Sequence, residues 1–186
     1  MVANLEATID DLYALPKEQK AELVNGEIVL MSPTGAAPNY AATEIVVSLR
    51  NYARRTKKGH AVSDNGAFRV DLPNRKSFSP DTAYHTGKWT GMKFFEGAPV
   101  FAVEVRIESD YGPRAEVAMA GKRNDYFAAG TLVVWDVDLL SDDVVKVYHP
   151  DMPEQPTIHR RGDIADAEPA VPGWSMPVDD LFRDEL

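Results

Sequence analysis

The chain predicts an α/β fold, with a mixed central β-sheet flanked by α-helices and a peripheral hairpin. Three observations point there. Short apolar runs of strand length recur at 99–107 and 131–137. A long amphipathic pattern occupies 39–56 and a second helical stretch, 114–129, separates those two strands. No internal repeat or low-complexity linker interrupts the 186 residues, so one domain, 1–186, is expected.

The elements follow in order. PKEQKAELV, 16–24, has proline at a first helical position and good helix formers, which predicts a short helix stopped by Asn25-Gly26. EIVLM, 27–31, reads as a strand and MSPTGAAP as a turn. Ala42, Ile45, Leu49 and Tyr52 recur at helical steps within 39–56 and leave a polar face that carries arginines. Residues 61–72 read as a strand with polar interruptions, LPNRKS as a loop, and FSPDTAYH, 78–85, as a strand entered through a proline. A connection rich in Gly, Trp and Phe, 86–98, leads to the strand at 99–107 and the helix ended by Gly130. TLVVWDV then pairs with VVKVYHP, 144–150, through the LLSDD turn. PGWSMPVDDLF, 172–182, reads as a last edge segment plus one helical turn.

Composition narrows the function classes. Hydrophobic residues make up 44% and charged residues 26%, the balance of a globular protein. No apolar run approaches the roughly 20 residues of a membrane span, and MVANLEATIDD lacks the basic start of a secretory leader. With no cysteine, disulfides, thiolate nucleophiles and Cys-type zinc sites drop out, which fits a cytoplasmic protein. Net charge is −9, against a protein that coats nucleic acid. Yet Arg50, Arg54, Arg55, Lys57 and Lys58 lie in a stretch free of acids between Glu44 and Asp64. That stripe is a candidate phosphate contact, or else a solvated helix end that complements the dipole.

The chemistry narrows to carboxylates. There is no dinucleotide or Walker loop, the four histidines have no metal-type spacing, and no serine sits in a nucleophile elbow. Glu104 stands out in PVFAVEVRIESD, because a lone carboxylate in a buried strand costs several kcal/mol, roughly, without compensation. Period-two alternation puts Asp81, Ala83 and His85 on one face of their strand, and Ala102, Glu104 and Arg106 on one face of theirs. In suitable register Asp81 and Glu104 meet, with small alanines leaving room beside them. Two adjacent acids repel, and a hard divalent cation is one remedy, since Mg²⁺ needs only one or two carboxylates besides water and phosphate. Pairing of Glu104 with Arg106 or Arg69 is the alternative. Met119, Lys122, Tyr126 and Ala129 form a stripe that should face the sheet, where a lysine needs a carboxylate or a phosphate. Snorkelling to solvent is the commoner fate of such a lysine.

SPD at 79–81, FAVEV at 101–105, Lys122 and YFAAGTLVVWDVD at 126–138 resemble the Uma-type restriction endonuclease family, within the PD-(D/E)XK nuclease superfamily. ELVNGEIVLMSPTG, 22–35, and the closing PGWSMPVDDLF extend the resemblance over nearly the whole chain. It implies a restriction endonuclease-like fold and a Mg²⁺- or Mn²⁺-dependent endonuclease acting on nucleic acid, DNA first among the candidates. Asp81 and Glu104 would be the metal-binding acids, with the carbonyl of Val105 beside them. Lys122 would replace the superfamily's usual lysine, at whose position this chain has Arg106, and Glu22 would be a further acid acting through water. A homodimer is a further expectation of the resemblance. The family's serine three residues after the second acid is Ile107 here. Together with the acidity and Arg106, this keeps open a catalytically inactive, nucleic-acid-binding or regulatory protein with the same fold. Trp89, Phe94 and Phe95 are candidates for stacking on unpaired bases, for a lid, or for a small satellite core.

Overall fold

A computed structural model describes residues 6–16 and 19–183. In chain order the elements are α1 (Ile9–Ala14), β1 (Ala21–Val24), β2 (Glu27–Leu30), α2 (Ala36–Thr56), β3 (His60–Ser63), β4 (Phe68–Arg69), β5 (Ser77–Phe78) and β6 (Thr82–His85). They continue with β7 (Phe95–Glu96), β8 (Phe101–Val105), α3 (Pro113–Ala128), β9 (Val133–Val137), β10 (Val145–His149), β11 (Met152–His159), β12 (Ile164–Asp166) and β13 (Ser175–Pro177), closed by a 3₁₀ turn at Val178–Leu181.

Six strands form the central sheet in the order β11-β10-β9-β8-β6-β3, with β8 and β9 parallel and every other pair antiparallel. The parallel pair is joined by α3, the crossover that such a pairing requires. Hairpins β1-β2 and β12-β13 lie outside this sheet, and β4 joins β5 and β7 in a small third one.

Alternation along β6, β8 and β9 divides the core in two. Tyr84, Phe101, Val103, Val105 and Trp135 face α2 through Ile45, Leu49 and Tyr52, and Trp174 closes that side. Ala83, Ala102 and Val134 face the other way, where Phe68, Phe78 and Tyr126 cover them. Tyr126 stacks on Phe78 with centroids 4.1 Å apart. The alanines therefore do not border a hole, as their size suggests; aromatic rings from α3 and β5 fill the space above them.

The first helix expected, 16–24, is replaced by structure of another kind. Residues 21–24 are strand β1, 19 and 20 have no regular structure, and 17 and 18 lie outside the described residues. Asn25 and Gly26 have φ of 50° and 72° between registered partners Val24 and Glu27. Positive φ at both residues of a two-residue loop is the hairpin turn that Asn-Gly favours. Leu23 is buried, and its N–H donates to Ser77 Oγ, so sheet contacts outweigh local helix propensity. The real first helix, α1, begins at a capping box of Thr8 and Asp11. The strands expected at 61–72 and 78–85 each break, at the Asn65 turn and at Ser79-Pro80-Asp81. Phe95 packs on Phe68 and His85 and meets Trp89 edge-on, Trp89 stays 68% exposed, and Phe94 lies apart against Tyr13.

His85 is buried with no hydrogen-bond partner for either ring nitrogen among the described residues. Burial first, then the nearby His60, hold its pKa below the ordinary 6.5, and the Ala98 backbone offsets this only in part. The unfolded chain therefore binds a proton that the folded chain refuses, and stability falls as pH drops below 6.5. One such group contributes up to about 1.4 kcal/mol per pH unit. Urea unfolding of wild type and His85→Leu between pH 7.5 and 5.5 should show a shallower pH dependence in the variant; equal slopes would contradict a neutral buried imidazole.

Candidate functional site

Backbone pairing builds the acidic site. β6 runs antiparallel to β8 with Thr82 opposite Val103, so Asp81, one residue before the strand, falls opposite Glu104. β9 continues the row by setting Asp136 beside Glu104. Pro80 ends the backbone ladder, and the aspartate side chain takes it up: Val105 N–H donates to Asp81 Oδ2 at 2.8 Å, while Asp81 N–H donates to the Val103 carbonyl at 3.2 Å. Asp81 is thereby held in one orientation by the strand that bears Glu104.

Lys122 enters from α3. Its Nζ lies 2.9 Å from Glu104 Oε1 and 3.0 Å from Glu22 Oε1, so one ammonium bridges carboxylates from two different sheets. It does not snorkel. Tyr126, one turn further along, donates its hydroxyl to Glu104 Oε1 at 2.6 Å. The other acceptor of that carboxylate, Oε2, has no protein partner among the described residues. Neither Arg106 nor Arg69 pairs with Glu104, because Arg69 meets Glu96 and Arg106 is occupied elsewhere.

Glu22 is buried and fully engaged. Arg75 Nη1 donates to its Oε2 at 2.5 Å, and the Ser79 N–H donates to its Oε1 at 2.8 Å. Arg75 is in turn held by Asp125, at 2.8 Å. With cations on both oxygens, Glu22 positions Lys122. It stands in the same network as Glu104, through Lys122.

Lys20, which the sequence reading did not single out, completes the ring. Its Nζ lies 3.1 Å from Asp81 Oδ1 and also pairs with Asp64. A signal for it existed: Lys20 and Glu22 share one face of an extended segment by period-two spacing, visible once 21–24 is read as strand. Arg75 had no such signal, since it reaches Glu22 from a loop 53 residues away.

A cleft of about 310 Å³ is lined by Lys20, Asp81, Glu104 and Lys122 together with Arg106, Asp136 and Arg123. Arg106 forks onto Asp136 with two bonds of 2.7 Å and reaches Glu116 as well. The hydrogen bonds to Asp136 are the chief reason its pKa lies above the ordinary value. The residue at the superfamily's lysine position is therefore locked into an ion-pair cluster. Ile107 lines the cleft, as do the hydroxyl residues Ser32, Thr34 and Ser109.

Burial dominates the electrostatics. It pushes the Glu104 carboxyl up to about 7, against the pull of Lys122, while Asp81 and Glu22 add to the rise. It pushes Glu22 up too, but Lys122 and Arg75, helped by the Ser79 N–H, outweigh it and hold that group below its ordinary value. For Lys122 burial favours the neutral amine, yet Glu104 and Glu22 overcome it and keep the ammonium. Excess carboxylate around Glu104 marks a place where added positive charge is favourable.

A family model for Uma2, described as "Putative restriction endonuclease", matches residues 9–179. The chain belongs to the Uma2 family. A crystal structure titled as that of a putative nuclease belonging to DUF820 from Anabaena variabilis ATCC 29413 superposes with a TM-score of 0.74, at 17% identity, over 94% of this chain and 97% of that chain. At that identity the likeness is one of fold, and it agrees with the restriction endonuclease-like architecture that the motifs imply. No curated protein matches the chain. The Uma2 stretch includes all four residues gathered here: Glu22, Asp81, Glu104 and Lys122.

The basic stripe does not join them. Arg50, Arg54 and Arg55 are exposed on the C-terminal half of α2, whose buried face packs on the opposite side of the sheet, and Lys57 and Lys58 are exposed just beyond its end. Ala42 of α2 accepts from Thr82 near the acids, and Arg54 lies about 18 Å further along the helix at 1.5 Å per residue. No helix among the described residues is long and apolar enough to cross a membrane.

The Arg75 and Glu22 pair is buried on both sides. Removing one partner of a buried pair costs about 3–5 kcal/mol, because the remaining charge loses its compensation. Arg75→Met should lower the urea unfolding free energy by that amount at pH 7. A loss under 1 kcal/mol, roughly, would mean that Lys122 alone suffices to hold Glu22.

Proposed function

We propose that the chain is a metal-dependent endonuclease that hydrolyses nucleic-acid phosphodiester bonds at the cleft between Asp81, Glu104 and Lys122. The observation that carries this reading is the position of Lys122, drawn out of solvent to bridge Glu22 and Glu104 beside Asp81. Membership of Uma2 and the fold likeness to a structure titled as a nuclease support the same class of reaction.

The donor set fits a hard divalent cation. Among the described residues no cluster of three or more His, Asp or Glu side chains is arranged around a metal position. Mg²⁺ does not need one, since it retains several waters and takes phosphate oxygens as further ligands. Glu104 Oε2 has no protein partner among the described residues and would be one ligand; Asp81 Oδ1 would be a second on exchanging Lys20 for the cation, with the Val105 carbonyl as the third candidate. Mg²⁺ or Mn²⁺ held there would polarise the phosphate and lower the pKa of a bound water.

The protein's own groups supply the remainder. Lys122, an ammonium between two carboxylates, is suited to orient a water or a phosphate oxygen and to offset developing negative charge, more than to remove a proton. Tyr126 and Glu22 keep Glu104 and Lys122 in place. Lys20 and Arg123 extend positive charge along the cleft wall, where a phosphate backbone would run. Ser32, Thr34 and Ser109 offer hydroxyls in place of the serine that Ile107 replaces.

A catalytically silent, nucleic-acid-binding member of the fold is the competing reading. It draws on the protein partners that both oxygens of Asp81 already have.

Purified protein with labelled DNA and RNA, in Mg²⁺, Mn²⁺ or EDTA, distinguishes them. Cleavage should require metal and fall by about 10²–10³-fold in Asp81→Asn and Lys122→Met. The same cations should raise the melting temperature of wild type, and Asp81→Asn should abolish that rise. Folded but inert wild type, with no metal response, would favour the silent reading.

A further inference from the structure

We propose a second nucleic-acid contact, for single-stranded DNA or RNA, at the corner where the C-terminal end of α2 meets the 86–98 connection, away from the acidic cleft. This inference does not require the cleft to be catalytic.

Two stretches far apart in sequence meet there. β3 pairs with β6 so that His60 lies opposite His85, and the Tyr84 hydroxyl donates to the Lys58 carbonyl. The Trp89 ring, four residues beyond His85, sits 5.4 Å from the His60 ring. Lys57 and Lys58 immediately precede Gly59-His60, and Arg54 and Arg55 occupy the last turn of α2.

Both stretches are free of acids. Residues 45–63 and 82–95 hold no Asp or Glu, in a chain whose net charge is −9. Most other cations of the described residues lie in ion pairs, including Lys20, Arg75, Arg106, Lys122, Arg160 and Arg161. Arg54, Arg55, Lys57 and Lys58 are exposed and form no salt bridge among the described residues. Unpaired cations concentrated in an acidic protein suit a polyanion.

Trp89 selects the kind of polyanion. It is 68% exposed, with only an edge-on contact to Phe95 and a tilted one to His60, so much of the indole is open to solvent. An exposed indole beside cations offers a stacking platform to unpaired bases, which a duplex keeps stacked inside itself. An acidic protein segment would use the charges but leave the ring without a function. Single-stranded nucleic acid uses both.

The fluorescence of the protein makes this measurable, because Trp135 and Trp174 are buried and Trp89 is the tryptophan within reach of a ligand. Wild type in EDTA is titrated with dT12, rU12 and a blunt duplex of the same length while tryptophan emission and anisotropy of a labelled strand are followed. Quenching by dT12, rU12 or both is expected, with affinity falling steeply as salt rises. Trp89→Ala should weaken binding about tenfold and remove the quenching. The double variant Arg54→Glu, Lys58→Glu should weaken it further and flatten the salt dependence, while Arg160→Glu, a charge reversal at an exposed arginine paired with Asp143 outside the corner, leaves it unchanged. Circular dichroism confirms that each variant is folded. Three results would overturn the proposal: no quenching by either single strand, equal affinity for the duplex, or binding unchanged in the patch variants. Concentration-dependent dimerisation abolished by the patch variants, with no oligonucleotide bound, would assign the corner to a second copy of the chain and overturn it equally.

Discussion

One buried ammonium holds the site together. Lys122 touches Glu104 on the central sheet and Glu22 on the outlying β1-β2 hairpin, and without it two carboxylates would share a poorly solvated space. The cost of burying like charges is high in low dielectric, so this cation fixes where α3, the hairpin and β8 sit relative to one another. Arg75 repeats the device on the far side of Glu22, tied back to α3 through Asp125. The hairpin is therefore joined to the helix by charge beside the place where the Leu23 N–H donates to Ser77 Oγ of β5.

The sheet separates two tasks by face. On the α2 face apolar side chains pack without charged interruption, and the two buried tryptophans lie against Phe101. On the α3 face the apolar layer stops at Ala83 and Ala102, and beyond it the row Asp81, Glu104, Asp136 opens into the cleft. Three neighbouring carboxylates on one edge of a sheet need separate cations. Lys20, Lys122 and Arg106 serve them in that order. Arg106 is the clearest case of a residue whose sequence position suggests one role and whose geometry fits another: the planar guanidinium forks onto Asp136, a task that lysine performs poorly.

Much of the fold was legible because its signals are local. The amphipathic pattern of α2, the β8-α3-β9 succession and the β9-β10 hairpin all rest on periodicity within one element. The segment at 16–24 was misread for a physical reason: good helix formers surround a strand that exists only because β2, Ser77 and Lys76 hydrogen-bond to it. The β11 and β12 strands lacked a clear apolar alternation, and two prolines in β11 masked an edge strand that tolerates them. Within the site, Asp81 and Glu104 were readable as acids in apolar strands, and Lys122 as a lysine on a buried stripe. Arg75 was not, because nothing local marks a cation whose partners come from other elements, and Lys20 becomes readable only once 21–24 is read as strand.

By itself the sequence determined the period of α2, β8, α3 and β9, the acids out of place in apolar strands, the absence of cysteine, and the family resemblance of its motifs. These properties depend on residues a few positions apart. Only the tertiary structure decided that Asp81 falls opposite Glu104, that Glu22 pairs with Lys122, and that the basic stripe of α2 lies on the other face of the sheet. Those outcomes depend on strand register and on which helix covers which face, and both are set by the summed packing of the whole chain.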